Sequence, residues 1–91
     1  MDFGYKEEEL VDVLEDVDGV RDLMVFNDDV NTFDHVIETL VRVCKHSTTQ
    51  AEQCAYIIHY NGKCSVKKGS LANLKPMKEA ICEAGIDAQV V

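Results

Sequence analysis

The chain has 91 residues, is 46% hydrophobic and carries a formal net charge of −8, which suits one domain with a single core. A chain of this size buries about 60% of its unfolded surface, enough to fold without disulfide or metal staples. Two classes are excluded: no apolar stretch approaches the ~18 residues of a membrane span, and the acidic balance leaves no footprint for nucleic acid.

The acids are unevenly placed. Residues 1–22 hold nine acids against Lys6 and Arg21, a net of −7, whereas residues 23–91 hold eight acids and seven bases, a net of −1. Residues 1–21 are therefore expected to form an acidic, flexible N-terminal extension, and residues 22–91 a folded core. In the extension, Leu10, Val11, Val13, Leu14 and Val17 suit a marginal amphipathic helix, which like-charge repulsion opposes. A solvated leader and an arm used by a partner both fit this pattern. The start, Met1-Asp2-Phe3-Gly4-Tyr5, lacks a basic region followed by an apolar one, so a cytoplasmic location is expected.

A run of apolar residues from Leu23 to Phe26 stops on Asn27-Asp28-Asp29, and Asp22 to Asn27 reads as a buried strand. After the loop Asp28-Asp29-Val30-Asn31, Thr32 can cap a helix whose apolar positions are 33, 36, 37, 40, 41 and 44. Lys45 and His46 are expected in its last turn, where positive charge suits the dipole. Ser47-Thr48-Thr49-Gln50 is a capping box opening a second helix. Its buried stripe is Ala51, Cys54, Ala55 and Ile58, and Gly62 ends it. Lys63 to Lys67 reads as a short strand with Cys64 and Val66 on one face, and Lys68-Gly69-Ser70 as a turn. Pro76 belongs in the first turn of a helix, which places a regular start of the third helix near Asn73. Gly85 stops that helix, and Ile86 to Val91 makes an edge or closing strand. The predicted fold is α+β: a small antiparallel three-stranded sheet packed on three helices, in the order β-α-α-β-α-β.

Four cysteines stand at positions 44, 54, 64 and 82, with no C-x-x-C pair. Two disulfides would suit an even count, but a cytosolic chain favours reduced, mostly buried thiols. Cys44, His46 and Cys64 leave open a small metal- or thiol-dependent regulator, although Cys44-Lys45-His46 lacks a matching second ligand pair. No cofactor is expected. Nor is catalysis: Cys54 and His59 project in different directions from one helix, and no oxyanion donor accompanies Asp28 and His59.

Asn27, Asp28 and His59 could meet at one rim if the helices fold back on the strand. An ionised Asp, an Asn carbonyl and a neutral imidazole nitrogen would then offer acceptors to the N–H donors of an α-ammonium. Phe33, Ala55 and Ile58 lie close enough in this scheme to take the attached side chain. Spacing alone favours the plainer alternative, in which Asn27 and Asp28 are loop residues and His59 complements a helix C-terminus.

Residues 23–62 resemble the ClpS family, adaptors that deliver N-degron substrates to Clp proteases. The matching pieces are Asn27-Asp28-Asp29 after the strand, Val36-Ile37-Glu38-Thr39-Leu40, Gln50-Ala51-Glu52-Gln53 and His59-Tyr60-Asn61-Gly62-Lys63. Each piece is unspecific; their order and spacing carry the resemblance, which continues more loosely from Lys75 to Val91. It implies that Asn27, Asp28 and His59 hold a free α-amino group. It also implies that Asn31, Phe33, Ala55, Ile58 and Val90 line a pocket for Phe, Leu, Tyr or Trp. Asn31 stands where the family usually has Thr, Thr32 where it has Pro, and both Phe33 and Ala55 where it has Met. The implied partners are N-degron protein substrates and the N-terminal domain of a Clp-family AAA+ unfoldase of the ClpA or ClpC type. Docking would fall near Ser70 and Lys75, and the acidic extension fits by position the flexible arm that such unfoldases engage. A non-enzymatic monomer, free of membrane and nucleic acid, is the resulting expectation.

Overall fold

The computed structural model describes residues 19–91, so the predicted extension lies almost wholly outside the described residues. The order is β1 (Arg21–Phe26), α1 (Phe33–Cys44), α2 (Thr48–Asn61), β2 (Lys63–Gly69), α3 (Leu71–Glu83) and β3 (Ala88–Val90). This is the predicted α+β arrangement. No helix among the described residues is long and apolar enough to cross a membrane.

The strands form one antiparallel sheet in the order β2-β1-β3. Residue alternation along a strand sends Leu23 and Val25 into the core and leaves Met24 and Phe26 half-buried on the other face. Val25 pairs with Cys64 on one side and Ala88 on the other. Between Leu23 and Met24 the pairing slips by one residue of β2, from Lys67 to Ser65. The slip is a bulge with Val66 as the extra residue of β2, and Cys64 and Val66, two positions apart, are both buried on the core face. The helices cover this face with Val36, Leu40, Cys44, Ala51, Ala55, Ile58, Leu74 and Ile81.

Local signals account for most of the helix ends. Thr32 accepts the backbone N–H of His35 at 3.1 Å to start α1. Ser47 and Gln50 form the reciprocal capping box of α2, each bond 3.1 Å long. Gly62 closes α2 at φ 92°, its N–H donating to the Ile58 carbonyl at 2.9 Å. That left-handed geometry favours a residue without Cβ.

Four boundaries depart from expectation. The first helix ends at Cys44, and Lys45 is its left-handed cap at φ 62° rather than a last-turn residue. β2 runs on through Lys68 and Gly69, which pair with Asp22 and Arg21 instead of turning. The third helix starts at Leu71, not near Asn73, because Ser70 accepts the Asn73 N–H at 3.1 Å and Leu74 is 1% exposed. Pro76 therefore sits inside α3. The carbonyl it leaves without a helical partner belongs to Ala72, which is exposed and can bond to water. Finally, β3 spans only Ala88–Val90, although Asp87 and Val91 still bond to Phe26 and Asp22 at its two ends.

Candidate functional site

A cavity of about 290 Å³ opens between the loop after β1 and the facing sides of α1 and α2. Asn27, Asp28 and His59 line it together with the apolar side chains of Phe33, Val36, Ala55 and Ile58. The juxtaposition has a backbone cause. The Asn27 N–H donates to the Gly62 carbonyl at 2.8 Å, which ties the end of β1 to the cap of α2. His59 lies in the last turn of that helix, and so comes beside the loop.

Asp28 is the most constrained of these groups. Its Oδ1 accepts the backbone N–H groups of Val30 and Asn31, each at 2.8 Å, and its Oδ2 accepts Asn31 Nδ2 at 2.7 Å. The backbone N–H of Asn31, then that of Val30, holds the carboxyl below its ordinary pKa of 3.8. Such donors stabilise only the charged form. A carboxylate offers about four lone-pair sites, so a further donor can still be accepted at Oδ2.

Four aromatic rings cluster beside the cavity. Phe33 leans across to α2, its ring centroid 5.4 Å from Tyr56 and 5.2 Å from His59. Tyr60 meets the His59 ring edge-on at 4.8 Å and stacks with Tyr56 at 6.0 Å. Tilted and offset rings at such distances attract through their quadrupoles. Phe33 is nevertheless 39% exposed and Tyr60 74%. At the floor, Ala55 is 2% exposed and Ile58 4%; the short Ala55 side chain is what leaves depth there.

The sequence-predicted residues divide accordingly. Asn27, Asp28, Asn31, Phe33, Ala55, Ile58 and His59 line one cavity. Val90 is not among its lining residues: it pairs with Leu23 on β3 and packs half-buried against the core. Ser70 caps α3, and Lys75 is exposed on that helix. Sequence reasoning missed Val36, Thr32 and Asp29 as lining residues. Val36 was detectable, since it stands three positions after Phe33 on the same helical stripe. Thr32 was assigned only its cap.

The cysteines stand apart from the cavity. All four are free, and burial pushes the thiols of Cys44 and Cys64 up to about 11. A thiol that resists ionisation is a poor nucleophile and metal ligand. Among the described residues no three His, Cys, Asp or Glu side chains are placed to hold a metal ion.

Residues 21–89 match the family model described as ATP-dependent Clp protease adaptor protein ClpS. The chain belongs to the ClpS family. The match runs from the first residue of β1 to the middle of β3, and so takes in every lining residue of the cavity. Its fold agrees with a solved ClpS-type structure, that of Agrobacterium tumefaciens ClpS2 bound to L-phenylalaninamide. The TM-score is 0.73 at 20% identity, over 79% of this chain and 94% of that one. Among curated proteins, none matches the chain. As a ClpS-type chain it is an adaptor of Clp protease, which joins a family role to a cavity of defined chemistry.

Proposed function

We propose that this adaptor reads the first residue of a protein chain and presents that chain to a Clp-type AAA+ unfoldase. One observation carries the reading: a single cavity is lined both by the Asp28 carboxylate, which backbone donors hold in its charged form, and by an apolar floor at Ala55 and Ile58. An unblocked N-terminus is the ligand that matches both halves. Its ammonium donates to Asp28, to the Asn27 side-chain carbonyl and to His59, while its first side chain fills the apolar floor. A charge-assisted hydrogen bond contributes about 1.5–3 kcal/mol, and burial of a large apolar side chain a similar ~1.5–3 kcal/mol. Neither half suffices alone for tight binding, which demands both a free amine and a bulky residue.

The ligand bound to the Agrobacterium ClpS2 structure has this composition, a free α-amine and an aromatic side chain followed by an amide in place of a peptide bond. Phe, Leu, Tyr and Trp are accordingly the first residues that the site accepts. The exposed start of α3, with Ser70 and Lys75, is the surface that meets the N-terminal domain of the unfoldase, of ClpA or ClpC type. The acidic extension, outside the described residues, serves as the arm that the unfoldase engages. The adaptor works as a cytoplasmic monomer, without cofactor, nucleic acid or membrane, and performs no chemistry itself.

Fluorescence anisotropy with peptides beginning in Phe, Leu, Tyr, Trp or Val, each free and acetylated, tests the site. Free peptides with the four bulky residues should bind, and acetylation should weaken binding to the level that apolar burial alone supports. Asp28→Ala should weaken it likewise while the circular dichroism spectrum of the folded chain is kept. Retained affinity in that variant refutes the assignment.

A further inference from the structure

A loop carboxylate ordinarily samples several rotamers, and selecting one at the moment of binding costs affinity. Asp28 is held from both oxygens before any ligand arrives. The second oxygen is held by Asn31, whose side chain does more than form a wall. Asn31 Nδ2 donates to Asp28 Oδ2 at 2.7 Å and to the Gly85 carbonyl at 2.9 Å. Both partners are pure acceptors, so only the NH₂ side of the amide can face them, and both of its hydrogens are engaged.

The Gly85 carbonyl is available for a physical reason. The backbone leaves α3 through a left-handed turn at Gly85, φ 87°. There Gly85 N–H donates to Cys82 at 3.0 Å and Ile86 N–H to Ile81 at 3.2 Å. This paired closure satisfies the last carbonyls inside the helix and turns those of Ala84 and Gly85 outward. His35 Nε2 takes the first of these, at 2.8 Å, and Asn31 takes the second.

We infer that Asn31 is a positioning residue of the amine site: it locks the Asp28 carboxylate in one rotamer against the turn behind α3 and leaves one Oδ2 lone pair for an ammonium. This rests on the reading of the cavity as an amine site. It reassigns Asn31 from the pocket wall, where the family resemblance places it, to the charge-reading half of the site. A threonine hydroxyl, with its single hydrogen, could hold Asp28 or Gly85 but not both. His35 anchors α1 to the same turn and acts on Asp28 only through a coulombic interaction, with no hydrogen bond to it, so it is the control for the bonds that Asn31 supplies.

The test uses the full chain and two peptides, one beginning in Phe and its counterpart with a 3-phenylpropionyl group, which keeps the side chain and lacks the amine. Wild type should bind the free-amine peptide in strong preference. Asn31→Ala and Asn31→Leu should each lower affinity for that peptide about tenfold and leave the weak binding of the amine-less peptide unchanged. Asn31→Leu fills the volume without a donor, so a loss shared by both variants comes from the missing bonds. His35→Ala should lower Tm and keep the wild-type preference between the peptides. Equal losses on both peptides would make Asn31 a wall residue and overturn the inference, as would unchanged binding in both variants. A wild type indifferent to the amine overturns the amine site itself, a failure visible before any substitution is made.

Discussion

Asp28 couples local folding to charge, because the N–H donors that lower its pKa also cap the loop on which it stands. A folded-state pKa below the unfolded value of 3.8 makes the carboxylate stabilising above that pH. This contribution is lost as pH falls through the lowered folded value. Thermal unfolding followed from pH 6 down to pH 2 should therefore show a shallower acid decline in Asp28→Asn than in wild type. The floor offers a second residue-scale test. Ala55 lines the cavity, so a longer side chain there takes up cavity volume. Ala55→Met should weaken a Trp-initiated peptide by about 1–3 kcal/mol and a Leu-initiated one much less, as measured by anisotropy. Similar losses for both peptides would mean that the first side chain does not reach Ala55.

At the scale of elements, α3 is the least expected helix. It tolerates Pro76 in its interior because the Ser70 cap and the burial of Leu74 and Ile81 fix its axis through the position where a lone helix would break. A proline there costs up to ~3 kcal/mol, offset in part by the stiffer unfolded chain. Pro76→Ala should raise stability by about 1–2 kcal/mol in denaturant titration and leave peptide affinity unchanged. The opposite end of the helix carries the reverse expectation. A Cβ at Gly85 meets no atom within 4 Å, but its φ of 87° is strained for any other residue. Gly85→Ala should cost about 1 kcal/mol, and because the Gly85 carbonyl accepts from Asn31, it should also weaken binding of the free-amine peptide. A stability loss with intact affinity would show that the turn and the cavity are uncoupled.

For the molecule as a whole, the two proposed surfaces lie at opposite ends of one rod. α3 has 13 residues, about 20 Å at 1.5 Å per residue. Its start carries Ser70 and Lys75, and its end reaches the cavity loop through Asn31 and His35. Under the proposed assignment of both surfaces, a bound peptide and a docked unfoldase domain would be held together without competing. Lys75→Glu should weaken capture of a Clp unfoldase N-terminal domain in a pull-down or by calorimetry, with the dissociation constant for a Phe-initiated peptide unchanged. Joint loss of both activities would place docking and peptide binding on one surface.

What the residues determined by themselves is local in origin. Thr32, the Ser47–Gln50 box, Gly62 and Gly85 act through bonds spanning a few residues, and the stripes of Leu40 and Ala55 follow from helical period. Element order was legible for that reason, and so, once spacing was joined to family resemblance, was the meeting of Asn27, Asp28 and His59 at one cavity. Other features needed the packed chain. Strand pairing carried β2 past its expected turn, and burial of Leu74 overrode the proline signal at the start of α3. Val90 was drawn to Leu23 by strand pairing, away from the cavity lining. Asn31 found its second acceptor 54 residues away, at Gly85. No pattern in the loop announces that contact, because the acceptor is a backbone carbonyl exposed only when α3 closes in its left-handed turn. Propensity and period act over a few residues and are written in the chain; the partner of a polar side chain is decided by which distant backbone group folding leaves unsatisfied beside it.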